Sequence, residues 1–239
     1  IGLTEEIQHR HFRHNLEAFQ RGEINSTEEL NKKISIMPRV EKIAVKDVKM
    51  RTFITEDSSR NDLVHHVYDV TYGLVKNNQD TLVVLDDSIV RGTTLKESIL
   101  TMLDRLQPKR IIVVSSAPQI RYPDCYGIDM SKMGTFVAFQ AAVNLWKKRN
   151  EYSFLEDLYK RCKIELEKPV EEMINLVKEV YQPFTAEEIS IEIAAIVKPN
   201  HIFSDVQLIY QNIDNLHQAC PKNLGDWYFT GDYPTPGGN

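Results

Sequence analysis

The chain has 239 residues, of which 42% are hydrophobic and 26% charged, as in an ordinary globular protein. Its 29 Lys and Arg against 34 Asp and Glu give a net charge of -5, which argues against nucleic acid or an anionic membrane as the main partner. No apolar run is long enough to cross a bilayer, and the first residues do not have the pattern of a signal peptide. Three widely spaced cysteines, Cys125, Cys162 and Cys220, indicate reduced thiols and a cytoplasmic location.

Residues 1–40 are predicted to be a helical lead-in without an assigned role. Apolar residues placed between charged ones predict helix over about residues 4–33. The tripeptide Asn25–Ser26–Thr27 is typical of a turn that caps a helix. Three histidines between His9 and His14 do not have the spacing of a zinc site, so we interpret them as part of a solvated helix face.

Residues 41–150 are predicted to form an α/β core with a largely parallel sheet. A strand over Val45–Thr55 and a second over Leu63–Tyr72 precede the buried strand Leu82–Leu85. An amphipathic helix over Leu95–Leu106 and another buried strand starting at Arg110 complete a strand–helix–strand unit, whose two strands are parallel. We expect Leu82–Leu85 to be central in the sheet.

Residues 151–239 are predicted to be a mostly helical extension with a Gly/Pro-rich tail. The helices expected there include one over residues 205–220. The purpose of the helical segment over residues 151–182 does not follow from the sequence.

The stretch Thr81–Thr94, TLVVLDDSIVRGTT, carries the strongest functional signal. An apolar strand runs into Asp86 and Asp87, and a short loop with Gly92 then leads into a helix, which is the usual place for an anionic ligand in an α/β sheet. Loop amides and hydroxyls suit a phosphate, whereas the two carboxylates suit ribose hydroxyls or Mg²⁺. The alternative is that the two acids only complement the helix dipole. The stretch is neither a Walker A loop nor a Rossmann fingerprint.

This stretch resembles the phosphoribosyl-pyrophosphate motif of type I phosphoribosyltransferases, and within them the amidophosphoribosyltransferases. Three further segments resemble the same family: MRTFI (Met50–Ile54), SSAPQIRYPDCYGIDMS (Ser115–Ser131) and FTGDYPT (Phe229–Thr235). The resemblance implies a type I phosphoribosyltransferase-like sheet. It also implies transfer of ammonia from glutamine to phosphoribosyl pyrophosphate, giving 5-phosphoribosylamine in purine biosynthesis.

The resemblance assigns roles to residues of this chain. It implies that Asp86 and Asp87 bind the ribose hydroxyls, directly or through Mg²⁺. It implies phosphate or substrate contacts from Ser88, Arg91, Gly92, Thr93, Thr94, Ser115 and Ser116. The polar link between the first two strands is similar to the family's closing catalytic loop, in which positive charge would come from Arg51, Arg60, His65 and His66. Arg91 is equally well explained as solvated, and the two histidines as ordinary strand residues.

The chain also departs from the pattern of the family it resembles in three places. The closing loop has His65 and His66 where relatives have a run of Arg and Lys. Gly225 and Tyr228 stand where some relatives have two cysteines of a [4Fe–4S] cluster, so no iron–sulfur cluster is expected. No pyrophosphate-binding loop is recognisable in residues 1–46.

The chain begins at Ile1, without the N-terminal Cys nucleophile of the family's glutaminase domain. We therefore expect a C-terminal fragment that is inactive by itself. In the full-length chain its partner would be the glutaminase domain.

Two rival functions stay open at this point. A salvage nucleobase phosphoribosyltransferase would share the sugar donor, but it would have no reason to contain the Ile120–Ser131 and Phe229–Thr235 segments. A non-catalytic regulator that binds phosphoribosyl pyrophosphate would fit the unexplained N-terminal helix, although the net charge gives little support to a DNA-binding form. Expected ligands are ribose phosphates or purine nucleotides, and a homo-oligomer is expected.

Overall fold

The computed structural model describes residues 2–41, 43–46, 68–124, 130–223 and 225–234. The chain forms two compact units, Ile1–Val45 and Lys46–Asn239. None of the helices described is both long and apolar enough to span a membrane.

The first unit is a pair of helices, α1 (Gly2–Gln20) and α2 (Thr27–Ile34). They are separate because Gly22 adopts a left-handed φ of 75° and Ser26 then caps α2, accepting a hydrogen bond from the Glu29 N–H at 3.1 Å. The predicted capping turn is therefore confirmed, whereas the prediction of helix throughout residues 4–33 is wrong at this break. One of the three histidines, His11, contacts the Lys33 carbonyl oxygen through Nε2 at 2.9 Å.

The second unit alternates strands and helices. Strand β1 (Ala44–Lys46) starts at the boundary between the units, and the other elements follow in chain order. The strands are β2 (Tyr68–Val70), β3 (Thr81–Asp86), β4 (Arg110–Ser115) and β5 (Asp205–Tyr210). The α-helices are α3 (Leu100–Asp104), α4 (Val137–Lys148), α5 (Tyr152–Glu165), α6 (Ala186–Val197), α7 (Ile213–Ala219) and α8 (Trp227–Thr230). Short 3₁₀ turns occupy Met133–Thr135, Val170–Glu172 and Leu176–Val180.

Strands β3, β4 and β5 form a three-stranded parallel sheet in that order. The register aligns Leu82 with Ile111 and Val206 in one row, and Asp86 with Ser115 and Tyr210 in the last row. The predicted α/β fold with a parallel sheet is therefore confirmed. Among the described strands, β4 is central and β3 lies at an edge, which differs from the predicted central position of the motif strand. Residues 47–67, which include most of the two strands predicted before it, lie outside the described residues.

The two faces of this sheet differ in burial. On one face Leu82, Ile111 and Val113 are buried, and helix α6 packs against β5 and against α4. On the other face Val83 and Leu85 are 55% and 59% exposed. The alternation along β3 follows from the two-residue period of a strand, which sends successive side chains to opposite faces.

Two predictions about the C-terminal half need correction. Residues 205–210 form β5 and only Ile213–Ala219 is helical, so the helix predicted over residues 205–220 is wrong in its first half. Asn212 marks the change, because its side chain accepts a hydrogen bond from the Asp214 N–H at 2.8 Å and caps α7. The segment Val170–Val180, also predicted to be helical, contains two short 3₁₀ turns instead of an α-helix.

Candidate functional site

The two acidic residues of the motif lie at the carboxyl end of β3. Asp86 is the last residue of the strand and half-buried, and Asp87 follows it in an exposed position. The Asp87 N–H donates to Asp86 Oδ1 at 2.9 Å, and the Ser88 N–H donates to Asp87 Oδ1 at 2.7 Å. The Asp86 and Asp87 carboxyl groups also interact directly with each other. One oxygen of each carboxylate is thus oriented by a backbone N–H.

The electrostatic environment of Asp86 favours its neutral form. Burial raises the pKa of the Asp86 carboxyl, and the adjacent Asp87 carboxylate adds to this rise, although the hydrogen bond from the Asp87 N–H opposes it. A cation or a hydrogen-bond donor would stabilise the charged form of Asp86.

Ser116, directly after β4, donates hydrogen bonds to the backbone of the acidic pair. The Ser116 N–H donates to the Asp86 carbonyl oxygen at 2.9 Å, and the Ser116 hydroxyl donates to the Asp87 carbonyl oxygen at 3.1 Å. Ser115 is 1% exposed, and its hydroxyl donates to the Ala117 carbonyl oxygen at 2.8 Å. These contacts place Ser115 and Ser116 beside the acidic pair, and the predicted ligand contacts of both residues stay predictions.

The first residue of α4 and the last residue of α6 lie against the loop from Ser88 to Thr94. The Val137 N–H, at the start of α4, donates to the Val90 carbonyl oxygen at 2.8 Å. Gly92 has a left-handed φ of 72°, and a Cβ built there would lie 2.6 Å from Cγ1 of Val197, the last residue of α6. The sequence suggests that Gly92 permits close approach of a ligand, and the structure shows a close approach of Val197.

The polar side chains of this loop face solvent. Arg91, Thr93 and Thr94 are exposed, and Ser88 is half-buried. The Lys96 N–H donates to the Gly92 carbonyl oxygen at 3.0 Å, which starts the helix directly after the loop. Backbone N–H groups in the first turn of a helix lack partners within the helix, so they are suited to an anion.

The helix that follows begins with a wide turn. Leu95–Ile99 is π-helical, with the Leu100 N–H bonded to the Leu95 carbonyl oxygen, and it continues into α3. Single π turns occur frequently at functional sites. Apolar periodicity predicts the helix, with Leu95, Ile99, Met102, Leu103 and Leu106 on one face. Of these, Leu95, Leu103 and Leu106 are buried, whereas the buried Leu100 and the π turn are not predicted.

Sequence reasoning missed one polar residue beside the acidic pair. Tyr210 ends β5 and shares the last row of the sheet with Asp86 and Ser115. Its hydroxyl oxygen is buried and has no hydrogen-bond partner among the described residues. The sequence does not reveal this neighbour of Asp86, because its pattern predicts helix over residues 205–210. Only the strand pairing of β5 aligns Tyr210 with Asp86.

The described residues after Ala117 make hydrogen bonds that connect this part of the chain to α6. Gln119 is 4% exposed and donates to the Ala186 carbonyl oxygen at 2.7 Å and to Ser190 Oγ at 2.8 Å. Its Oε1 accepts hydrogen bonds from Arg121 at 2.8 and 3.2 Å, and the guanidinium of Arg121 lies 5.1 Å from the ring centroid of Tyr181. This network fixes the segment after β4 to α6.

Several predicted residues fall outside the described part of the chain. They are Arg51, Arg60, His65, His66 and Cys125. Gly225 and Tyr228 are the two positions compared above with the iron–sulfur ligands of relatives. A Cβ atom built on Gly225 would lie 3.1 Å from the Trp227 ring. The Tyr228 carbonyl oxygen accepts a hydrogen bond from the Arg121 N–H at 2.8 Å. Cys162 and Cys220 are free thiols.

Metal binding can be tested against the donor set. Within the described residues no group of three or more His, Cys, Asp and Glu side chains could hold a metal ion. Mg²⁺ is commonly held by one or two carboxylates together with substrate phosphates and water. Asp86 and Asp87 are two adjacent hard oxygen donors, so they fit this ion and not one that needs a full protein cage.

Curated proteins similar to this chain share one activity in their names. An amidophosphoribosyltransferase of Pasteurella multocida is 47% identical over 58 residues, which are 24% of this chain and 11% of the relative. That of Saccharomyces cerevisiae is 38% identical over 87 residues, which are 34% of this chain and 17% of the relative. That of Escherichia coli is 44% identical over 57 residues. The matched region is therefore a small part of each relative's length.

Among solved structures, the chain is similar to a Bacillus subtilis glutamine phosphoribosylpyrophosphate amidotransferase complexed with ADP and GMP. The TM-score is 0.43 and the sequence identity 24%, over 82% of this chain and 32% of that one. No protein-family model matches the chain. The sequence relatives by themselves confirm the resemblance of this chain to amidophosphoribosyltransferases.

Proposed function

We propose that this chain binds the 5-phosphoribosyl group of phosphoribosyl pyrophosphate within an amidophosphoribosyltransferase. The observation that carries the proposal is the acidic pair at the carboxyl end of β3, joined to a loop that leads directly into a helix. In a parallel sheet, ligands bind at this end of the strands. The sequence relatives support the same family.

The acidic pair would bind the sugar. Asp86 and Asp87 each have one carboxylate oxygen fixed by a backbone N–H, so their second oxygens are oriented to accept hydrogen bonds from vicinal ribose hydroxyls. The same two oxygens would hold Mg²⁺, which when bound neutralises negative charge on the diphosphate. Burial raises the pKa of Asp86, and a cation or a hydroxyl donor bound there would oppose that rise.

The loop would bind the 5′-phosphate. Ser88, Gly92, Thr93 and Thr94 supply backbone amides and hydroxyls, and Arg91 adds a positive charge at its apex. The hydrogen bond from Val137 to Val90 and the contact of Gly92 with Val197 keep this loop in one conformation. A rigid phosphate loop and oriented carboxylates fix C1 of the ribose relative to an incoming nucleophile, which is catalysis by positioning.

The finer assignment is transfer of ammonia from glutamine to phosphoribosyl pyrophosphate, with 5-phosphoribosylamine and pyrophosphate as products. Ammonia displaces pyrophosphate at C1, and the positive charge that develops on the sugar is favoured by the nearby carboxylates. Arg51, Arg60, His65 and His66 are proposed to contact the leaving pyrophosphate. Inactivity of the 239 residues alone, a cytoplasmic location, homo-oligomerisation and the lack of an iron–sulfur cluster stay predictions.

Calorimetric titration of ribose 5-phosphate in the presence of Mg²⁺ tests the proposal. Replacing both acids in the Asp86→Asn/Asp87→Asn variant should weaken binding at least about tenfold, because charge-assisted hydrogen bonds and cation ligands are lost. The matched control is Glu171→Gln/Glu172→Gln, which removes an exposed adjacent acidic pair elsewhere. Equal affinities of wild type and the Asp86/Asp87 variant would contradict the proposal.

A further inference from the structure

The hydroxyl of Tyr210 is an unusual group in this fold. Its oxygen is buried, yet it has no hydrogen-bond partner among the described residues, and the only other such side-chain atom there is Nε1 of Trp227. An unsatisfied buried hydroxyl destabilises the folded state, so each case in a native structure calls for an explanation. One explanation is a partner that is acquired only when a ligand binds.

The register of the sheet identifies the candidate partner. Asp86, Ser115 and Tyr210 occupy the same row across β3, β4 and β5, and aligned residues of parallel strands point to the same face. Ser115 between them is small, and its hydroxyl already donates to the Ala117 carbonyl oxygen. The Asp86 carboxylate is close enough to Tyr210 to raise further the pKa of its phenol, which burial alone already raises. Tyr210 is therefore a donor at every physiological pH.

We infer that Tyr210 is a positioning residue of the candidate site, whose hydroxyl donates to Asp86 when Asp86 engages the ribose hydroxyls. This inference rests on the proposed function. In the structure, Asp86 Oδ1 is bonded to the Asp87 N–H, and the phenol has no acceptor. When Asp86 turns toward Tyr210 as it engages the sugar, the ligand-bound state gains a hydrogen bond that the unliganded state lacks.

This arrangement predicts opposite effects on folding and on binding. In the unliganded chain, Tyr210→Phe removes a hydroxyl that bonds to nothing, so the melting temperature should stay the same or rise. In the bound state it removes a support of Asp86, so the affinity for ribose 5-phosphate should fall about three- to tenfold. A residue that merely packs the sheet would not separate these two measurements.

The experiment compares wild type, Tyr210→Phe and the control Tyr152→Phe, whose hydroxyl lies on a side chain that is 54% exposed on α5. Each protein is titrated with ribose 5-phosphate and separately with inorganic phosphate, and its melting temperature is measured without ligand. Inorganic phosphate occupies the loop without contacting Asp86, so its affinity should be the same in all three proteins.

The outcomes separate the inference from the proposed function. Weaker binding of ribose 5-phosphate alone, with unchanged phosphate affinity and an equal or higher melting temperature, supports the role of Tyr210. Unchanged binding of both ligands overturns it and leaves the proposed function intact. Equal weakening of both, or a lower melting temperature, shows a structural residue and also overturns it. If wild type does not bind ribose 5-phosphate, the proposed function fails and the inference fails with it.

Discussion

Gly92 offers the sharpest test of how the phosphate loop is held. Its φ of 72° is a left-handed conformation, and a Cβ there would meet Val197 Cγ1 at 2.6 Å and Val137 Cγ2 at 3.6 Å. Val137 and Val197 are 0% and 1% exposed, so neither can turn away into solvent. Gly92→Ala therefore combines backbone strain with overpacking.

Both contributions have known magnitudes. A left-handed conformation costs a residue with a side chain about 1–2 kcal/mol. Forcing one extra carbon into a packed core costs about 1–3 kcal/mol. We expect Gly92→Ala to lower the free energy of unfolding by about 2–5 kcal/mol, a large fraction of the stability of most domains.

The chain contains a matched control for the backbone contribution. Gly73 has a φ of 83° and nothing within 4 Å of its ideal Cβ position. Gly73→Ala should therefore show only the backbone cost, about 1–2 kcal/mol. The difference between the two variants isolates the contact with Val197.

Urea unfolding followed by circular dichroism and by Trp146 fluorescence measures both variants, because Trp146 is 5% exposed in the core of the same unit. Adding Val197→Ala to Gly92→Ala removes Cγ1 and should recover part of the loss, which gives a nonadditive double-mutant cycle. If Gly92→Ala and Gly73→Ala cost the same, or if the two changes at 92 and 197 are additive, the reasoning about the close approach is refuted.

Two further predictions concern Asp86 and Gln119. Because burial raises the pKa of Asp86 above its ordinary value of 3.8, the folded state binds this proton more tightly than the unfolded state, and stability falls as pH rises from 3.8 through the folded-state pKa. Asp86→Asn should raise the melting temperature at neutral pH and lose that advantage near about pH 3, and a gain independent of pH would contradict it. Gln119→Leu should cost about 2–4 kcal/mol in urea unfolding, because the half-buried Arg121 guanidinium loses its Gln119 acceptor, and the Ala186 carbonyl oxygen and Ser190 Oγ each lose one donor. A loss below about 0.5 kcal/mol would show that water replaces these hydrogen bonds.

Local sequence predicted the motif region well. Four apolar residues followed by two acids place Asp86 at the end of a strand, and the structure has β3 over Thr81–Asp86. The strand starting at Arg110 is β4, and the apolar spacing after Leu95 identifies the buried Leu95, Leu103 and Leu106 but not the buried Leu100. These elements are decided by contacts within short stretches of chain, which periodicity reports directly.

What sequence did not predict depends on pairs far apart in the chain. The short stretch Asp205–Tyr210 becomes a strand because β4 offers a parallel neighbour, with Tyr210 aligned to Ser115. Tertiary pairing overrides local preference in such segments. The reason that position 92 is glycine likewise lies in Val197, more than a hundred residues later, and no local pattern contains that contact.

Departures from ordinary folding rules gather at one end of the sheet. Two of these departures are at strand ends: Asp86, whose pKa is raised, is the last residue of β3, and Tyr210, whose hydroxyl has no partner among the described residues, is the last residue of β5. Two more lie between β3 and α3: the left-handed Gly92 against Val197, and the π-helical turn over Leu95–Ile99. Each is unfavourable or rare by itself, whereas the apolar rows of the sheet beneath them obey the strand period throughout. A fold selected only for stability would have no reason to keep these features together. Their common position beside the acidic pair agrees with the proposal that this end of the sheet binds a sugar phosphate.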